Sequence, residues 1–274
     1  MQNYIKLIFL FQLDDFLFLI QHETMINTLN ESHLHKTLKD LYALNNEGAQ
    51  TEVRIGTSIA DIAASNKKIF EIQTGSLGSL KQKCLEYIKQ GYTVTVVYPL
   101  ACTKYIETTD LHGNKKRRKS PVKKNLISAF RELTSLTKIL LSRNFYLDII
   151  QCQICEERIE MMEPVQSQNH RRHFKKTWLK TGKKLEEMGK IITLHGKSSY
   201  KKMIPKNLGE TFTTRNFYEN LKIDFPEARK NESDIMVWVL WNLGLIERIG
   251  KKGNSYFYSL KKSPIKKIYD GDLK

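Results

Sequence analysis

The sequence predicts an α/β protein: a core of order helix, three strands, helix, strand, followed by a smaller unit of helices and strands. Three observations predict it. Short strand-type runs lie at 51–55, 59–63 and 68–74, parted by the turn residues Gly56-Thr57 and Ser65-Asn66. A helical stretch then leads into YTVTVVYPL at 92–100, a nearly continuous β-branched run of the kind a buried strand needs. A helix crossing between two strands of one sheet is the connection that α/β cores use. Finally, the chain closes on two helical patterns and an alternating ribbon.

Taken in order, Asn30-Glu31-Ser32 opens a helix that carries Leu34, Leu38, Leu41 and Tyr42 on one face, and 45–48 ends it. The three strands follow, then a loop at 75–78. The helix at 80–90 has Leu80, Cys84, Leu85 and Ile88 as its apolar stripe, and Gly91 caps it. Residues 112–124 read HGNKKRRKSPVKK, a loop or hairpin tip with seven Lys/Arg residues. An amphipathic helix is expected over 130–141, and 145–158 reads as a helix or a strand end packed on the core. Residues 156–177 look like a polar connector with a second basic cluster at 170–176.

Near the C-terminus, Thr213 is placed to cap a helix with Phe217, Tyr218 and Leu221 inward. A stronger helix spans 232–243, where Trp238 and Trp241 read as core residues. A strand at 244–249, a basic turn at 250–254 and a returning strand at 255–260 complete a winged-helix pattern. In such folds a helix enters the major groove and the wing touches the backbone; the same module also serves protein partners. The expected divisions are an N-terminal extension (1–24), the core (25–110), a basic loop and helical connector (111–205), a separate winged-helix-like α+β domain (206–262) and a basic tail (263–274).

The 274 residues hold 45 Lys+Arg against 29 Asp+Glu, a formal charge of +16. An excess of that size favours polyanionic partners, because cations that neutralise phosphates release condensed counterions. A basic bias without a specific partner gives the same number. Asp14 and Asp15 interrupt the apolar N-terminal stretch, so no membrane span is expected there; a signal peptide is not expected either, because the stretch has no clear basic start or small-residue cleavage site. The expected location is the cytoplasm, with Cys84, Cys102, Cys152 and Cys155 as reduced thiols. Cys152 and Cys155 have C-x-x-C spacing; a zinc site would need a second ligand pair, for which His170 and His173 are the candidates.

Strand alternation picks out the chemistry. Ile59, Asp61 and Ala63 share one strand face, and Ile69, Glu71 and Gln73 share another. If the two strands pair as a hairpin, Asp61 lies beside Glu71 and Gln73. Two close carboxylates are costly without a counterion. A hard divalent cation, Mg²⁺ or Mn²⁺, suits carboxylate and amide oxygens and activates water for phosphodiester chemistry. A solvated pair at a sheet edge is the plainer alternative.

The order helix–β–β–β–helix–β, with Asp61 on the second strand and Glu71-Ile72-Gln73 on the third, resembles the PD-(D/E)xK nuclease-like superfamily. Gln73 stands where lysine is usual, as in the Glu-x-Gln variants of the CoiA competence type. The stretch beginning IFEIQTG is similar to an uncharacterised bacterial family, whose later segments resemble RRKSP (117–121), FRELTSL (130–136) and LGLIERIGKKGNSYFY (243–258). The resemblance implies Asp61 and Glu71 as metal ligands and Gln73 as a residue that completes or orients the site. It implies a basic residue from the following helix, Lys83 or Lys81, with Lys83 chosen. It also implies Glu31 or Glu52 as a further metal ligand. His33 and His35 read as helix-surface or packing residues first, and as general bases second.

The function so implied is a Mg²⁺- or Mn²⁺-dependent DNA endonuclease, or a nuclease-like DNA-processing protein. Lys115, Lys116, Arg117, Arg118, Lys119, Lys251 and Lys252 would hold the DNA backbone. A DNA-binding regulator that keeps the fold without cutting is the alternative, and a structural protein whose basic surface serves RNA or another partner is a third. The expected partners are DNA and, in a dimeric form, a second copy of the chain.

Overall fold

A computed structural model describes residues 32–167, 170 and 172–261. The expectations for 1–24, for Glu31 and for 263–274 lie outside the described residues. The chain is a mixed α/β protein built on a seven-stranded sheet, with a three-stranded sheet near the C-terminus.

Helix α1 (His33–Leu44) starts where the Ser32 side chain accepts the His35 N–H. Strands β1 (Gln50–Ile55), β2 (Ser58–Ala64) and β3 (Lys68–Ile72) pair antiparallel in sequence order. Helix α2 (Lys81–Lys89) then leads to β4 (Thr93–Thr109), which runs parallel to β3. The order α-β-β-β-α-β is therefore present. Alternation divides the core between the two faces of the sheet. Ile62, Phe70 and Ile72 pack with Leu34, Leu38 and Tyr42 of α1. Ile69 faces the other way, toward Leu80, Cys84 and Tyr87 of the α2 region.

Beyond β4 the structure departs from the expected helical connector at 111–205. Strand β5 (Lys115–Lys119) folds back on the far end of β4, so the basic run is one arm of a hairpin. Strands β6 (Phe145–Val165) and β7 (Lys176–Leu194) extend the main sheet: β6 lies parallel to β4, and β7 antiparallel to β6. These strands disguise themselves with charge. Glu157 meets Lys184, and Glu156 lies near Lys180 at 3.8 Å; such cross-strand pairs support a sheet without apolar alternation.

The helix expected over 130–141 is shorter. Only α3 (Phe130–Leu133) is α-helical, flanked by 3-10 turns at Leu126–Ala129 and Thr134–Leu136. Thr134 and Ser135 turn their hydroxyls back onto the carbonyls of Arg131 and Glu132, a local bond that competes with helix propagation. The apolar positions are buried all the same, among them Phe130, Leu133, Leu136 and Leu140.

After α4 (Gly196–Lys201) come β8 (Thr211–Thr213), α5 (Thr214–Asp224), α6 (Lys230–Asn242), β9 (Ile246–Lys252) and β10 (Ser255–Leu260). The small sheet has the order β8-β10-β9. Thr213 caps α5 as expected, in a reciprocal pair with Asn216. This part packs against the rest of the chain: Met236, Val237 and Leu240 of α6 share one apolar cluster with Phe130 and Leu133. Trp241 packs against that cluster, but Trp238 is 41% exposed and is not a core residue. Among the described residues no helix is long and apolar enough to cross a membrane.

Candidate active site

The β2–β3 ladder pairs Ile62 with Phe70, which sets Asp61 and Glu71 at the next step. There the ladder opens. Asp61 Oδ2 accepts the Ile72 N–H at 2.7 Å, taking the place of a strand carbonyl. His35 Nε2 stands 3.4 Å from the same oxygen, so α1 closes the site from one side. Burial alone would raise the Asp61 pKa. The hydrogen bonds from His35 and Ile72, with the charges of His35 and Lys83, hold it below the usual carboxylate range.

Glu71 is 1% exposed. Lys83 of α2 donates to its Oε2 at 2.6 Å, while Oε1 is buried with no partner. The Tyr87 hydroxyl, one turn further along α2, is also buried and unpartnered. Burial, and then the charge of Asp61, push Glu71 up to about 7, against the pull of Lys83. Asp61 and Glu71 thus have different proton affinities because their surroundings differ.

The remaining site residues divide. Gln73 does not join the acidic pair: its Oε1 accepts the Gly75 N–H at 3.2 Å and its Nε2 donates to Ser79 Oγ at 2.6 Å. Strand β3 ends at Ile72, although the Gln73 N–H still donates to the Val97 carbonyl at 2.9 Å. Glu52 sits at a φ of +55°, is 59% exposed at its side chain, and pairs with Lys39 at 2.7 Å. His33 is exposed. Among the described residues no three His, Cys, Asp or Glu side chains converge as a metal set. The zinc expectation for Cys152 and Cys155 therefore has no ligand set; both thiols are buried, and Cys152 donates to the Leu100 carbonyl.

The basic residues lie on two ribbons. On β5, Lys115 pairs with Glu107, and Arg117 forks onto Glu186 while stacking over Tyr105. Lys116, Arg118 and Lys119 are exposed, as are Lys251 and Lys252 on β9. Sequence reading missed the role of His35 beside Asp61. Its signal was position: four residues before Lys39, on the flank of the apolar stripe of α1.

The fold and site define a mixed α/β domain with a carboxylate pair between its second and third strands. Residues 32–195 match the model of DUF8091, described as a domain of unknown function, and the chain belongs to that family. The match ends as β7 ends, so α4 to β10 lie beyond it. An uncharacterized protein of Treponema pallidum (strain Nichols) is 33% identical over 126 residues. That alignment covers 46% of this chain and 49% of the relative, so the chain spans about half the length of that protein. No solved structure matches.

Proposed function

We propose that the protein is a metal-dependent phosphodiesterase acting on DNA, a Glu-x-Gln member of the PD-(D/E)xK-like group with a winged-helix-like C-terminal part. One observation carries the reading: Asp61 and Glu71 lie at the step after the last β2–β3 pair, close enough for the Asp61 charge to raise the pKa of Glu71, whose one oxygen is buried and unpartnered while Lys83 holds the other. That oxygen suits Mg²⁺ or Mn²⁺. A buried carboxylate oxygen without a donor is costly unless a proton or a cation meets it. Mg²⁺ often binds through one or two carboxylates and fills its remaining positions with water and phosphate oxygens, so this pair is sufficient without Glu31 or Glu52.

When bound there, the metal supplies a water of lowered pKa and charge stabilisation at the phosphate. The chain's own groups do the positioning. His35 and the Ile72 N–H keep Asp61 ionised and oriented. Lys83 brings the positive charge that Gln73 does not provide, in reach of Glu71 and placed to offset charge on a phosphate. Gln73 holds the 74–79 loop, which fixes the approach to α2. The order β8-α5-α6-β9-β10, with Lys251 and Lys252 on the terminal ribbon, supports backbone contacts to duplex DNA.

The second reading, a DNA-binding regulator without cleavage, is favoured by Gln73 being tied to its own loop. Supercoiled, linear and branched DNA incubated with Mg²⁺ or Mn²⁺ and either wild type or Asp61→Ala decides between them. Nicking or cutting by the wild type, reduced by at least 100-fold in Asp61→Ala, is expected. Equal DNA binding with no cutting by either protein would leave the regulator.

A further inference from the structure

Strand β4 pairs with β3 as far as Val97 and with β5 from Tyr105 onward. Along that edge residues 98–103 have no strand partner, and Pro99 sits there without an N–H to leave unpaired. A cavity of about 300 Å³ opens at this gap. Thr74 and Gly75, just past the end of β3, form part of its wall, so it lies beside the segment that leaves the acidic pair.

The charges around the cavity do not balance. Lys104, Lys124, Lys180 and Lys183 line it, against the carboxylates of Glu132 and Glu156. Glu156 is already shared: it lies 3.2 Å from Lys104 and 3.8 Å from Lys180, and it accepts two bonds from Arg158. Glu132 accepts the Leu77 N–H. Lys183 donates to the Thr74 carbonyl at 3.1 Å, and Lys124 to the Tyr98 hydroxyl at 3.3 Å. Both ammonium groups therefore rest on neutral oxygens. Burial, then the repulsion of Lys180, Lys124 and Lys104, draws Lys183 down to about 8 although Glu156 opposes the shift. An anion in the cavity removes that repulsion, and phosphate is the anion that lysine ammoniums bind as point charges.

We propose that this cavity is a phosphate-binding subsite, built on Lys183 and Lys124 with Lys180 and Lys104 in the same wall, which holds a phosphate group of a nucleic-acid strand beside the segment that leaves the acidic pair. The nucleic-acid source rests on the function proposed above; the phosphate site itself does not. Either a terminal monoester or a backbone diester presents the required oxygens.

The test uses the full chain. Calorimetric titration with inorganic phosphate, at ionic strength matched with chloride, is run on wild type, Lys183→Met, Lys180→Gln and Asp61→Asn. Wild type and Asp61→Asn are expected to bind phosphate alike, and each lysine variant at least tenfold more weakly. Unchanged binding in a folded lysine variant would overturn the subsite; if Lys183→Met does not fold, Lys180→Gln carries the test. Single-stranded oligonucleotides with a 5′-phosphate or a 5′-hydroxyl then locate the source. Loss of affinity for the phosphorylated strand alone supports a terminal phosphate, and equal loss for both supports the backbone. Loss for neither overturns the nucleic-acid assignment. Absence of cleavage by the wild type sinks the nuclease reading and leaves the phosphate titration to stand or fall separately.

Discussion

Asp61 and Glu71 are nearly the same chemical group in different surroundings. Asp61 has two donors and stays ionised; Glu71 is sealed in, has Lys83 on one oxygen and nothing on the other. With its native pKa raised to about 7 from an ordinary value of 4.5, Glu71 holds a proton in the native state that the unfolded chain has released. Its contribution to stability is full below about pH 4.5 and is lost as pH rises through about 7. Wild type is expected to melt higher at pH 5.5 than at pH 8 on account of this group, and Glu71→Gln to lose that difference. Thermal melts across that range check it; the same slope in both proteins contradicts it. The pairing of Asp61 with Glu71 was legible because both lie inside strands, where alternation decides the face. The bonds of the Gln73 side chain to Gly75 and Ser79 were not legible, because they depend on the turn that follows the strand. The lysines of the β4 gap were hidden by distance along the chain, since Lys104, Lys180 and Lys183 are brought to one cavity only by the pairing of β4, β6 and β7.

Among the elements, α6 ties the C-terminal part to the main core. Its buried face joins the cluster that also holds Phe130, Leu133 and Leu147 of the main sheet's side. Met236→Ala should therefore cost about 2–5 kcal/mol and lower the melting point of the whole molecule in a single transition. A calorimetric trace with two independent transitions, only one of them shifted, contradicts the shared core. Helices α1 and α2, strands β2 and β3 and the first half of β4 were readable from the sequence because each buries a regular stripe or run; β1, exposed along most of its length, was placed by its strand-type residues and the Gly56-Thr57 turn. Strands β6 and β7 were not, because their outer halves are stabilised by ion pairs such as Glu157 with Lys184, which carry no apolar period. The turns around Thr134 and Ser135 shortened a helix whose apolar spacing was sound.

For the whole molecule, the excess of +16 is the largest single property. If the exposed lysines and arginines of β5 and β9 meet phosphates, DNA affinity should fall steeply with salt. Lys251→Ala and Lys252→Ala should each reduce the slope of log K against log salt by about one, with little change among DNA sequences. Fluorescence anisotropy over a salt series measures this, and unchanged slopes would remove the ribbon from the interface. The charge was plain in the sequence; its partition was not, because Arg117 spends its fork on Glu186 rather than facing solvent alone.

Whether the carboxylate pair holds a metal is read by calorimetric titration of Mn²⁺ into wild type and Asp61→Asn at pH 6 and pH 8. The wild type should bind Mn²⁺ at one site, more tightly at pH 8, where Glu71 no longer holds its proton, and Asp61→Asn should lose that binding. Identical titrations for the two proteins at both pH values would contradict the metal site.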